Sequence, residues 1–363
     1  MDKKIEDFGY DDFFEANRRA LGLDAFSVAR VTAEHRGAYE VINEKGQFSA
    51  KITGKQIFDA SKREDYPAVG DWVAITELGS GKAVVQGILP RRTVIKRKGE
   101  DKSKIDGKMK TQVIGANIDV AFVVESVDRD YNLNRLERYF VLARDGGIKP
   151  AMILNKIDLE SEEELNAKLA EIQNRFPDID VIPTSITNDQ GLDKLKGYIS
   201  SGLTYCFLGS SGVGKSSLIN KLLGKDLIKT EGISAYSGRG KHMTTSREMY
   251  FLQSGGIVID NPGMREVGMT NANSGLSDTF SEIVSLAQNC KYADCTHTHE
   301  PSCEVLSALR SGKLDEDKYS NYIGLKKEAE YYELSQLKKR EKDKKFGKFV
   351  SKALKQLGKY RLK

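Results

Sequence analysis

Residues 204–223 read TYCFLGSSGVGKSSLINKLL, and the stretch Gly209, Ser210, Ser211, Gly212, Val213, Gly214, Lys215, Ser216 matches the G-x-x-x-x-G-K-[ST] pattern of a phosphate-binding loop. Its context is the expected one: Thr204–Leu208 is a short apolar run with strand character, and Ser217–Leu223 starts a helix. Glycines let backbone N–H groups turn inward to cradle phosphates. Lys215 then reaches the β- and γ-phosphates, and the Ser216 hydroxyl can ligate Mg²⁺, with Ser217 following in the same turn. An accidental glycine-rich turn needs neither the strand before nor the helix after it.

Upstream, Asn155-Lys156-Ile157-Asp158 directly follows the strand-like run Ala151–Leu154. A carboxylate at Asp158 can accept from both N1–H and the exocyclic amine of guanine, whereas adenine offers an acceptor at N1 and nothing at C2. This selects GTP over ATP. Lys156 would lay its stem against the base, and Asn155 would tie this loop to the phosphate loop. Thr184 and Ser185, after the short run Asp180–Ile182, are the candidates for the loop that backs the guanine. Downstream, Asp260-Asn261-Pro262-Gly263 follows the apolar run Gly256–Ile259 and has the D-x-x-G form of a nucleotide-sensing switch. Asp260 would hold Mg²⁺ through water, and the Gly263 N–H would sense the γ-phosphate. The next residue is Met264, where a water-orienting Gln often stands, so another polar group has to take that task.

These pieces come in an abnormal order. Ordinary GTPases run phosphate loop, switch I, switch II, then the guanine-specifying loops, but here the guanine loops precede the phosphate loop. The chain is therefore read as circularly permuted, which is tolerable when loops at one end of a sheet make the site and the chain break falls elsewhere. Between residues 111 and 272 strand and helix signals alternate, with Val120–Val124 as a buried strand and Leu133–Ala143 and Glu162–Phe176 as helices. That alternation predicts a doubly wound α/β domain.

The remainder of the 363 residues divides around this domain. Residues 1–24 carry a short amphipathic pattern interrupted by Asn17 and read as an amino-terminal helical extension. Residues 25–97 hold five short strand-like runs (Phe26–Thr32, Ala38–Ile42, Phe48–Ile52, Trp72–Thr76, Ala83–Ile88), which predict a small β-barrel of the oligonucleotide-binding (OB) or the SH3-like type. Arg91–Lys110 has nine Lys/Arg against three acids and no apolar period. It reads as an exposed loop, with 98–110 as a basic linker. Residues 273–335 contain Cys290, Cys295, His297, His299 and Cys303, and 336–363 form a basic tail. Three thiolates and one imidazole would close a tetrahedral zinc site of the structural kind, with His297 and His299 as rival nitrogens. Cys206, in the strand before the phosphate loop, reads as a buried core thiol.

The net charge of +5 is an average over unlike parts. The last 26 residues hold twelve Lys/Arg and two acids, and without them 45 basic residues face 50 acidic ones. A mildly acidic body thus carries a basic end that suits a polyanionic partner. No apolar run approaches the ~18–20 residues needed to cross a bilayer, and no secretory signal opens the chain, so a cytoplasmic monomer without a membrane role is expected.

The permuted order, the amino-terminal barrel and the spacing Cys290-x4-Cys295-x-His297-x5-Cys303 together resemble the ribosome small-subunit-dependent GTPase A (RsgA) family, over about residues 26–335. That resemblance implies a multi-domain architecture: an OB barrel, a permuted P-loop GTPase domain and a small zinc domain with helices. It favours His297 over His299 as the zinc ligand. It also implies GTP hydrolysis in late maturation of the small ribosomal subunit, stimulated by the subunit and linked to release of the factor, with the subunit and its rRNA and GTP/GDP as partners. The segment 238–245, GRGKHMTT, resembles the family's Gly-x-Gly-x-His-Thr-Thr-Thr stretch with Met243 in place of the first Thr. By that resemblance His242 would position the attacking water, and Thr244 or Thr245 would complete the Mg²⁺ shell. Two other functional classes fit the same sequence: a nucleotide-gated RNA chaperone that uses hydrolysis only to reset, and a GTPase with a non-ribosomal partner.

Overall fold

A computed structural model describes residues 3–35, 37–60, 63–98, 111–128, 131–228, 247–260 and 272–333. His242, Thr244, Thr245, Gly263, most of the basic linker and the basic tail lie outside the described residues.

The chain starts with a 3-10 turn (Ile5–Phe8) and helix α1 (Asp12–Ala20). The Asp11 side chain caps α1 by accepting from Phe13 N. Asn17 does not interrupt the helix, because its side-chain amide donates to Phe13 O one turn back. Phe8, Tyr10 and Phe14 are buried with Trp72 and Leu89, so the extension serves as a plug in the core rather than an arm.

The barrel follows: β1 (Ser27–His35), β2 (Ala38–Asn43), β3 (Gly46–Ile52), helix α2 (Gly54–Asp59), β4 (Trp72–Gly79) and β5 (Lys82–Ile88). β1 pairs antiparallel with both β2 and β4, while β3 pairs parallel with β5, so the order β1-β2-β3-β5-β4-β1 closes on itself. This closure is that of the OB barrel and settles the choice left open by strand count. Small and β-branched residues, including Ala29, Val31, Val41, Ala50, Val73 and Val85, fill the interior.

The segment after the barrel differs from the exposed loop expected for Arg91–Lys110. β6 (Val94–Lys98) pairs antiparallel with β7 (Thr111–Ala116). Arg91 is drawn inward by the fully buried Asp71, which it engages with two hydrogen bonds of 2.8 and 2.7 Å, while it also donates to Glu64 O and Tyr66 O. Charge counting misses this because it takes every cation as solvated, whereas a bidentate arginine can be an internal strut.

The α/β domain comprises β8 (Val120–Ser126), α3 (Leu133–Asp145), β9 (Lys149–Asn155), α4 (Glu162–Arg175), β10 (Val181–Thr184), α5 (Leu192–Tyr198), β11 (Thr204–Leu208), α6 (Lys215–Leu223), β12 (Glu248–Phe251) and β13 (Ile257–Asp260). Its strands lie in the order β10-β9-β8-β11-β13-β12, parallel except for β12. β8, β9 and β11 are buried along nearly their whole length, as parallel strands covered on both faces should be. Four helices close the described chain: α7 (Asn273–Thr279), α8 (Ser281–Ala287), α9 (Glu304–Arg310) and α10 (Glu316–Glu333). None of the described helices is long and apolar enough to cross a membrane.

Arg30 of β1 fastens barrel, plug and α/β domain together. It is 1 % exposed and donates to Phe8 O, to Asn117 O at 3.0 Å and to Thr204 Oγ1 at 2.8 Å, with a longer contact to Gly70 O. Its guanidinium also lies 5.6 Å from the Trp72 ring. Burial pulls its pKa down to about 10, opposed by the nearby carboxylates of Asp119 and Asp71. Gly9, at φ 85, lets the plug pass close: a Cβ there would sit 2.8 Å from Gly202 O and 2.9 Å from the guanidinium. Arg30→Met would leave several buried carbonyls without a donor and is expected to destabilise the protein by about 3 kcal/mol. Urea unfolding of the purified variant checks this, and a midpoint equal to wild type would show that the clasp contributes nothing.

Candidate functional site

Those described residues that the sequence analysis expects at a nucleotide site assemble at the carboxyl ends of the parallel strands, where a doubly wound sheet places its ligands. β11 ends at Leu208, and the loop 209–214 leads into α6, whose first residue is Lys215. Gly209, Gly212 and Gly214 have φ of 140, 85 and 98°, conformations that turn the loop back on itself. Lys215 Nζ donates to Gly209 O at 2.9 Å and to Ser210 O, so the ammonium crosses the mouth of the loop. Val213 is buried beneath it, while Ser211 faces solvent and Ser216 and Ser217 are half-buried.

The loop read from the sequence as guanine-specifying is locked to this loop. Asn155, at the end of β9 and fully buried, donates from Nδ2 to Val213 O at 2.8 Å and accepts at Oδ1 from Thr184 Oγ1 at 3.1 Å. A Cβ on Gly214 would meet Asn155 Nδ2 at 2.3 Å, so the two loops touch with no room for a side chain. Lys156 takes a left-handed backbone conformation, φ 63. Ser185 Oγ donates to Asp158 Oδ1 at 2.5 Å and fixes that carboxylate. Thr184 thus acts on Asn155, and Ser185 on Asp158. Asp128, which the motifs do not include, accepts from Lys156 Nζ at 2.7 Å. The signal for it was positional: a polar residue just beyond the carboxyl end of a central parallel strand.

Asp260 ends β13 beside β11 and is 8 % exposed. Burial raises its pKa and Lys215 lowers it, while the carboxylate of its register partner Glu248 raises it further. A divalent cation would relieve that arrangement, and the charge set around Asp260, Ser216 and the phosphate loop fits Mg²⁺ bound with nucleotide phosphates. Burial pushes the Cys206 thiol up, as a core thiol requires.

Comparison with known proteins agrees with this geometry. The family described as RsgA GTPase matches residues 88–270. The chain belongs to the RsgA GTPase family. Relatives include the "Small ribosomal subunit biogenesis GTPase RsgA 2" of Lactiplantibacillus plantarum, 39% identical over 89% of this chain and 87% of that protein. A second is the "Small ribosomal subunit biogenesis GTPase RsgA 1" of Bacteroides thetaiotaomicron, 36% identical over 94% of each. Among solved structures, YjeQ from Thermotoga maritima matches with a TM-score of 0.60 and 25% identity, covering 82% of this chain and 96% of that one. A circularly permuted GTPase, YloQ, matches in fold with a TM-score of 0.60 and 23% identity, covering 87% and 96%. Permutation is thus a property of the fold that this family member shares.

The Cys/His cluster tests the zinc expectation on distances alone. The donor atoms of Cys290, Cys295, His297 and Cys303 all lie within 4.8 Å of one another. Cys290 Sγ is 3.8 Å from Cys303 Sγ, and His297 Nδ1 is 3.6 and 3.5 Å from those two sulfurs. Tetrahedral zinc, with bonds of about 2.3 Å to sulfur and 2.0–2.1 Å to nitrogen, requires about 3.8 Å between sulfurs and about 3.6 Å between sulfur and nitrogen. The donor set fits a closed structural site. His299 is exposed, with Nδ1 at 2.9 Å from Thr298 Oγ1, and takes no part. His297 reaches its place through a left-handed backbone, φ 61, and its carbonyl accepts from Tyr319 OH of α10 at 2.7 Å. Cys303→Ser is expected to lower bound zinc by at least tenfold in elemental analysis while GDP binding, which uses none of the four ligands, persists. Retention of a full equivalent of zinc would reject this ligand set.

Proposed function

We propose that this family member hydrolyses GTP during late maturation of the small ribosomal subunit, with the subunit stimulating hydrolysis and hydrolysis releasing the factor. The observation that carries the reading is the lock between Asn155 and Val213, which joins a guanine-specifying loop to a phosphate loop in one site. The names of its relatives supply the ribosomal context. In this reading Asp158 accepts from the guanine edge, Ser185 holds that carboxylate, and Lys215 stabilises charge on the phosphates as the γ-phosphoryl passes to water. Bound Mg²⁺ would neutralise phosphate charge, held by Ser216 directly, by Asp260 through water and by Thr244 or Thr245. Met264 cannot orient water, and His242 is proposed for that role. The barrel, the zinc unit and the basic tail would meet rRNA, an association governed by phosphate charge and therefore weakened by salt. A monomer acting in the cytoplasm fits these roles.

GTP turnover with and without purified small subunits tests the reading. Stimulation is expected for the full chain and for a truncation ending before Lys338, and Lys215→Ala should lose at least a hundredfold in stimulated turnover. Unchanged hydrolysis in Lys215→Ala would remove the phosphate-loop assignment. Absence of both stimulation and co-sedimentation with subunits, in the presence of a non-hydrolysable GTP analogue, would point to a partner other than the ribosome.

A further inference from the structure

β8 ends at Ser126, the register partner of Asn155, so the residues just beyond it stand beside the guanine loop. Asp128 uses both carboxylate oxygens there: Oδ2 accepts from Lys156 Nζ at 2.7 Å and Oδ1 accepts from Ser126 Oγ at 2.8 Å. The loop that carries it is itself tied down. Val127 N donates to Asn155 O at 3.2 Å, Lys168 Nζ of α4 donates to Val127 O at 2.8 Å, and Tyr131 N donates to Asp128 O at 3.0 Å. Lys156 belongs to the guanine loop, yet its ammonium is held from a neighbouring strand.

An isolated surface ion pair contributes little, because two long side chains lose freedom to gain a weak attraction. Here the balance differs. The carboxylate is short, doubly bonded and mounted on a loop hydrogen-bonded to the residue preceding Lys156, so most of the ordering is already done by the backbone. The lysine stem is the flexible part, and a purine face needs that stem laid flat. We propose that Asp128 is a positioning residue for guanine-nucleotide binding: by holding the Lys156 ammonium it sets the methylene stem as an apolar wall for the base before the base arrives. This rests on the reading of Asn155–Asp158 as the guanine loop. It assigns Asp128 a preorganising role, acting on the base face, whereas Asp158 acts on the base edge.

The test is a double-mutant cycle in the full-length protein, reading dissociation constants for GDP and for IDP, which lacks only the 2-amino group. Asp128→Asn is expected to weaken GDP about fivefold, and IDP by the same factor, because the stem packs on a face that both bases share. Asp128→Glu, which keeps the carboxylate, should recover most of the loss. In a Lys156→Ala background Asp128→Asn should cost nothing further. Wild-type affinity in Asp128→Asn, an undiminished loss on the Lys156→Ala background, a loss confined to GDP, or no recovery in Asp128→Glu would each overturn the proposal. The underlying reading is tested separately by Asp158→Asn, which should shift preference from GDP to XDP, since xanthine presents a carbonyl where guanine presents an amine. If that switch occurs and the cycle shows no coupling, only the role of Asp128 falls; if the switch fails, the guanine loop itself is misassigned.

Discussion

Asn155 is the constraint that joins the loop after β9 to the loop after β11, and the proposed nucleotide site depends on it. Its amide has one donor side and one acceptor side, and both are committed: the nitrogen to Val213 O and the oxygen to Thr184 Oγ1. An aspartate there would lose the donor and place a charge in a fully buried position, and a leucine would strand a buried carbonyl. Residues 155 and 213 are 58 apart in sequence, and the guanine loop comes first. The bond is indifferent to that order, since it joins loops at the ends of β9 and β11 that the sheet brings to one edge. Permutation moves the chain break and leaves this contact unchanged, which explains how a rearranged sequence keeps the chemistry of the ordinary one.

The barrel is held to the α/β domain through β1. Besides the Arg30 clasp, Ala33 pairs with Glu248 of β12, and Glu34 lies 3.6 Å from Arg247. The pairing forms part of a continuous rung: Asp260 opposes Glu248, Glu248 opposes Ala33, and Ala33 opposes Glu40. The residue proposed to face Mg²⁺ is therefore two strands from the barrel wall. Any displacement of β12 either carries β1 with it or breaks the rung and the Glu34–Arg247 pair. The barrel in this arrangement is a part of the sheet's edge, and its orientation is set by backbone pairing as well as by side chains.

Elements with a strong period or a fixed motif were legible in the sequence. β11 has the span Thr204–Leu208 that its apolar run predicts, and α3 and α4 lie within two residues of their expected limits. The Cys/His cluster was likewise legible, although its spacing left His297 and His299 as rivals and the resemblance to the RsgA family was needed to favour His297, the one that converges with the three cysteines. What escaped reading depended on partners far along the chain. β12, with the sequence Glu-Met-Tyr-Phe, is too short and too mixed to announce a strand, and it exists because β13 and β1 flank it. Arg30 and Arg91 look like any surface cations until Asn117, Thr204 and Asp71 are placed around them. Asp128 carries no motif, only a position beyond the end of β8, and its partner, the ammonium of Lys156, lies just past the adjacent strand. The amino-terminal helix was legible as an amphipathic pattern, but its place was not, since Phe8, Tyr10 and Phe14 are buried with Trp72 and Leu89 far along the chain.

The carboxy-terminal unit shows what the permuted order does mechanically. The chain leaving β13 passes into α7, so the segment after Asp260 leads to the zinc unit rather than to the guanine loop. α7 is pressed against α3: a Cβ on Gly275 would lie 2.1 Å from Val141 O, Ser274 Oγ donates to Asp145 at 3.0 Å, and Arg144 donates to Asp278 O at 2.8 Å. α10 returns to the same helix. Arg138 pairs with Glu328, and the buried Glu137 accepts from Arg175 of α4 and from Asn321 of α10. Burial raises the pKa of Glu137, and Arg175 and Asn321, partners from two other helices, oppose that shift. The link from Tyr319 OH to His297 O ties α10 to the metal-ligand loop. Zinc bound by Cys290, Cys295, His297 and Cys303 would hold the platform from which α10 grips α3, and α3 begins beyond the loop that carries Asp128. Metal loss should therefore loosen the grip on α3 and also reach one face of the sheet, because Cys295 and Cys303 share a buried cluster with Val123 of β8, Met152 of β9 and Ile259 of β13.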